Sequence, residues 1–197
     1  MDQQLTLDPA HTALVLIDLQ NSNVKHELAP YSAENVVGNC VLLAQEMRER
    51  GGLVIYVHVL LNELPQVPAD APLRPQGAPA GPPGAAWVAP GGRVGAQDLV
   101  IVKRQWGAFY GTELEQQLPR RGIDTLIMGG IATNFGVEST ARAAYDFGFQ
   151  LVFAEDAMSS FDADAHRFAC KNIFPKMGRG RVTRTLIDVL QAGTGAP

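Results

Sequence analysis

"DTLIMGGIATNFGVESTARAAYDFG", residues 124–148, joins a strand, a turn and a helix in one run. Residues 124–130 form a short apolar stretch that reads as a buried strand. From Thr133 onward, small and apolar side chains keep helical spacing until Gly148, a residue type that ends helices. Thr133 and Asn134 are favoured helix-capping types. Gly136 then falls in the first turn, where alanine would favour the helix by roughly 1 kcal/mol. A glycine there leaves space beside backbone N–H groups that face outward to receive a ligand. A buried strand feeding straight into a helix is half of a βαβ unit, and this decides the fold class.

The rest of the chain repeats the pattern. "ALVLID" (13–18), "LVIYVHV" (53–59), "LVIVK" (99–103) and "QLVFAED" (150–156) read as further strands, with a short one around Val182. A helix capped by Ser32 and ended by Gly51 carries Val36, Val37, Cys40, Val41, Ala44 and Met47 on one stripe. "GTELEQQLPRRG" predicts a helix opened by a Thr112-x-x-Glu115 capping box and closed by Gly122. Two more helices are expected near 162–174 and 184–191. The expected architecture is a three-layer α-β-α domain spanning residues 1–197, with a doubly wound, mainly parallel sheet of about six strands.

Residues 62–97 break the rhythm. Eight of the thirteen prolines fall there. So long a loop inside a domain reads as a lid, an oligomer contact or a flexible insert. It starts at the strand edge where open α/β sheets bind ligands.

Composition narrows the function classes. A net charge of −4 and a pI near 5.5 argue against a nucleic-acid surface. The apolar run before Asp18 is five residues long, so no signal peptide or membrane span is expected, and the expected location is the cytoplasm. Cys40 and Cys170 stand far apart in no metal-binding spacing, and no paired histidine motif appears. Neither a metal nor another cofactor is expected.

Parallel strands deliver their last residues to one edge. Asp18 ends the first strand, Lys103 the third, and Gly129–Thr133 follow the fourth. A carboxylate and an ammonium paired at such a crevice face opposing forces: the lysine keeps the acid ionised, while burial raises its pKa. That contest can poise an acid or base. A turn aspartate and a solvent-directed lysine are the alternatives. His58 reads as a core or rim histidine, His166 as a surface one, and both cysteines as small buried hydrophobes. Trp106, Phe109 and Tyr110 in "KRQWGAFYGT" read as walls of a pocket for a planar or cyclic substrate, a subunit contact or a structural plug.

Three ordered blocks, "LVLIDLQN", "VKRQWGAFYGTELEQQL" and "GGIATNFGVESTARAAYDFGF", resemble the isochorismatase-like hydrolases, which include nicotinamidases and N-carbamoylsarcosine amidases. The resemblance covers nearly the whole chain. It implies that Asp18 and Lys103 are catalytic, and that a non-proline cis peptide falls at Ile131–Ala132 in the oxyanion region. It further implies substrate contacts from Gln20, Trp106, Phe109, Tyr110 and Thr133, a small-molecule substrate and a homo-oligomer. The family's cysteine nucleophile would stand at Gly136, so a thioester route is not expected. Isochorismatases proper are similar to this chain in having glycine there, and they hydrolyse a vinyl ether by acid catalysis from the aspartate. They carry a glutamine where Val59 stands, which separates this chain from isochorismate itself. A small-molecule-binding or scaffold protein, and an amidase working through water, are the other expectations.

Overall fold

The structure, a computed structural model, describes residues 4–73 and 94–193. Six strands form one sheet: β1 (Thr12–Ile17), β2 (Leu53–Val59), β3 (Leu99–Lys103), β4 (Thr125–Ile131), β5 (Gln150–Ser159) and β6 (Gly178–Arg181). Their order is β3-β2-β1-β4-β5-β6 and every pairing is parallel. The helices are α1 (Asn21–Val24), α2 (Ala33–Glu49), α3 (Leu114–Arg120), α4 (Glu138–Asp146), α5 (Ala163–Phe168) and α6 (Thr183–Ala192).

Strand side chains alternate between two cores. Leu14, Leu16, Val54, Tyr56, Ile127 and Val152 pack under α2 and α6. Ala13, Val15, Ile17, Ile55, Val57 and Met128 pack under α3 and α4. Both faces being covered explains why these strands are continuous apolar runs rather than alternating ones. The result is the three-layer, doubly wound architecture that the alternation of elements implies.

The direction in which successive strands are added to the sheet reverses between β1 and β4, which are parallel neighbours in register from Thr12 opposite Thr125 to Ile17 opposite Gly130. Gly130 permits that approach: its φ is +115°, and a Cβ there would lie 2.1 Å from the Ile17 carbonyl oxygen. The crevice of such a sheet opens at this switch point, beyond the carboxyl ends of β1 and β4.

Several local expectations change. Thr112 does not form a capping box with Glu115. Its hydroxyl accepts from Leu114 N at 3.1 Å and donates to the Ala108 carbonyl at 2.6 Å, so α3 starts at Leu114. Thr133 and Asn134 do not cap the following helix either. A π-turn over Thr133–Val137 precedes α4, with Val137 N bonded to the Ala132 carbonyl at 3.2 Å. β5 runs three residues beyond its expected end, and its register against β4 shifts between Met128 and Gly130. The expected helix at 162–174 is α5 followed by a π-turn, with a 3-10 turn from Phe174 that contains Pro175. The reading of residues 62–97 as a lid or contact falls largely on residues 74–93, outside those described. Among the described residues, no helix is long and apolar enough to cross a membrane.

Candidate active site at the switch point

Asp18 follows β1 directly. Its backbone N–H donates to the Val57 carbonyl at 2.9 Å, while φ turns to +49°, an uncommon value for a residue with a Cβ. The carbonyl of Asp18 accepts from Gln20 N at 2.7 Å and from Asn23 Nδ2 at 2.8 Å. These bonds hold the left-handed turn that leaves the carboxyl buried at the crevice.

Lys103 ends β3, two strands away from β1. Its side chain is wholly buried, and Nζ donates to Asp18 Oδ2 at 2.9 Å and to the Trp106 carbonyl at 2.5 Å. Across the intervening strand, Gln20 clamps Val59 with both ends of its amide: Nε2 donates to the Val59 carbonyl at 3.0 Å, and Oε1 accepts from Val59 N at 2.7 Å. The edge between acid and lysine is therefore built from backbone already satisfied.

Burial pushes the Asp18 carboxyl up to about 6, and the Lys103 ammonium restrains the rise. Asp18 Oδ1 is buried and, among the described residues, has no hydrogen-bond partner. One carboxyl oxygen is thus anchored by the lysine, and the other is free for a reacting group.

Gly136 packs against this pair. A Cβ at that position would fall 2.8 Å from Ile17 Cγ2, 3.0 Å from Asp18 Oδ2 and 3.1 Å from Lys103 Nζ. A side chain here would make Ile17 and the ion pair shift to give it room. Its carbonyl accepts from Thr140 Oγ1 at 2.7 Å, and the same hydroxyl accepts from Ala108 N at 3.1 Å, tying the π-turn to the loop after β3. The Ile131–Ala132 peptide bond just before the π-turn is cis.

The aromatic loop divides. Trp106 is half-exposed and meets Phe135 edge-on, with ring centroids 5.1 Å apart. Both line a groove of about 890 Å³ whose other walls include Leu61, Leu64, Leu73 and Gln105. Phe109 is buried against Phe147 and Phe149 in the core, and Tyr110 is 83% exposed. Only Trp106 of the three stands beside the acid–lysine pair and the groove together. Thr133 is fully buried, with its hydroxyl 2.8 Å from His166 Nδ1. His166 is therefore not on the surface: α5 turns it inward, and burial lowers its pKa.

Burial keeps both thiols protonated. Cys40 is buried on α2 and donates to the Ala157 carbonyl at 3.2 Å, and burial raises its pKa. Burial likewise pushes Cys170 up to about 12, with Glu155 adding to the rise. His58 lies buried on β2. Among the described residues, no group of three or more His, Cys, Asp or Glu side chains could hold a metal ion.

The sequence reading missed Phe135 and Thr140 and placed His166 on the surface. The i, i+4 spacing of Gly136 and Thr140 is a signal for the second, since a hydroxyl at that distance reaches back to the carbonyl. The burial of His166 depends on the packing of α5, which no local pattern reports.

Comparison with known proteins identifies the family. Residues 12–185 match the Isochorismatase domain. Over 94% of its length the chain is 42% identical to the isochorismatase family protein YecD of Escherichia coli O157:H7, all of which is covered. It is 40% identical to the family protein YwoC of Bacillus subtilis (strain 168), covering 95% of this chain and 98% of that protein. An isochorismatase family protein from Burkholderia thailandensis superimposes with a TM-score of 0.88 at 41% identity, covering 94% of this chain and 98% of that one. The chain belongs to the isochorismatase family.

Proposed function

We propose that this protein hydrolyses a small carboxylated enol ether by acid catalysis from Asp18, with no covalent intermediate. The observation that carries this reading is the split environment of the Asp18 carboxyl, with Oδ2 on Lys103 and Oδ1 buried without a partner. An acid held at about 6 keeps a sizeable protonated fraction near neutral pH and releases its proton readily, the compromise a general acid needs.

In the proposed step, the protonated carboxyl gives its proton to the terminal methylene carbon of the enol ether. The C=C electron pair forms the new C–H bond, leaving an oxocarbenium ion. Water adds to that carbon and loses a proton, and the hemiketal collapses to a ketone and an alcohol. Lys103 stabilises the carboxylate that Asp18 becomes, an interaction that strengthens as charge develops. Gly136 lets the backbone pack closely against the acid–lysine pair, and the two cysteines, on α2 and on the turn after α5, take no part.

A panel of cyclic enol ether carboxylates, amides and ureido acids tests the reading. Enol ethers should turn over, and Asp18→Asn should lower kcat by at least about 100-fold. Lys103→Ala should lower it as well. Removing both thiols, in Cys40→Ala with Cys170→Ala, should leave the rate unchanged. Equal turnover by the wild type and Asp18→Asn would overturn the proposal, as would turnover confined to amides.

A further inference from the structure

His166 is a buried titratable side chain for which the proposed chemistry has no use. It sits on α5 at 4% exposure, with Nδ1 2.8 Å from the Thr133 hydroxyl and Nε2 3.5 Å from Cys170 Sγ. The Tyr31 ring closes on it edge-on at 5.7 Å. A neutral imidazole has one donor and one acceptor nitrogen, so in either tautomer Nδ1 and the threonine hydroxyl make one bond.

Thr133 is the first residue of the π-turn that carries Gly136 against Ile17, Asp18 and Lys103. A turn of this kind departs from the α-helical hydrogen-bond ladder, so bonds from outside add support. Two side-chain bonds supply it on the side of β5 and α5: Thr133 to His166, and Ser160 Oγ to Asn134 Oδ1 at 2.5 Å. The turn is thereby pinned behind while Gly136 faces the acid in front.

We infer that His166 is a positioning residue: it fixes Thr133, and through it the π-turn, so that Gly136 seals the Asp18–Lys103 pair from water. This deepens the proposed function by naming what keeps the acid closed. If the turn loosens, water reaches the carboxyl, and the burial that raises its proton affinity is lost.

The experiment follows the Asp18 carboxyl carbon by NMR during a pH titration, without substrate, in four variants. Thr133→Val keeps the shape and removes the hydroxyl, while Thr133→Ser keeps the hydroxyl. His166→Asn can place an amide where Nδ1 stood, while His166→Gln reaches toward Cys170 instead. Thr133→Val and His166→Gln should each lower the proton affinity of Asp18 by about tenfold. Thr133→Ser and His166→Asn should stay near the wild type, and amide exchange over residues 133–137 should quicken only in the first pair. Wild-type midpoints in Thr133→Val and His166→Gln would overturn the inference, and so would equal shifts in all four variants. Should His166→Gln fail to fold, the two threonine variants decide alone. The readout needs no turnover, so it fails separately from the reading of Asp18 as the catalytic acid.

Discussion

At the scale of single residues, the site rests on three side-chain decisions: a buried acid, a buried cation and no Cβ at position 136. Gly136→Ala would place a methyl 2.8–3.1 Å from Ile17 Cγ2, Asp18 Oδ2 and Lys103 Nζ. Overpacking of this kind costs about 1–3 kcal/mol, which urea unfolding would read, and separating the ion pair should move the Asp18 titration away from its wild-type midpoint. The acid also sets a pH dependence. Its folded pKa, about 6, lies above the ordinary carboxylate value, so the folded state binds the proton more tightly. Stability from this group is therefore full below about pH 4 and declines as pH rises to about 6. The difference in unfolding free energy between the wild type and Asp18→Asn should fall across that window and level off above it. By the same sign, the proposed acid catalysis predicts that kcat/KM decreases as pH rises past about 6.

At the scale of elements, strands were more legible than the connections that carry the candidate site. β1, β2, β3 and β4 are short apolar runs with turn residues at their ends, and their sequence limits hold to within a residue or two. The π-turn was not legible, because Thr133 and Asn134 look like caps until His166 and Ser160, which lie far along the chain, claim their side chains. The capping box failed for a similar reason: Ala108 and Leu114 compete successfully for the Thr112 hydroxyl. Gln20 illustrates the same limit. The family resemblance implies a substrate contact from it, and in the structure both amide atoms bind the Val59 backbone. Gln20→Ala would leave a buried N–H and C=O of Val59 without those partners and should cost about 1–3 kcal/mol in urea unfolding.

For the whole molecule, strand order converts scattered residues into a site. Asp18 and Lys103 stand 85 positions apart in sequence, yet the order β3-β2-β1 puts only β2 between them, and the long lysine side chain spans that gap. The reversal at β1/β4 brings the π-turn to the same edge. This much follows from the alternation of strands and helices, since a parallel sheet sends all strand ends one way. What stayed hidden was contact between layers: the burial of His166, the withdrawal of Phe109 into the core and the outward turn of Tyr110. The central claim is that Asp18 delivers a proton to carbon. The direct measurement is hydrolysis of an enolpyruvyl ether of a cyclic acid in deuterium oxide, with the product methyl group read by NMR. The wild type should place one deuterium in that methyl per turnover, and Asp18→Asn should form little product. Product whose methyl carries no deuterium, or Asp18→Asn turning over as fast as the wild type, would contradict the account.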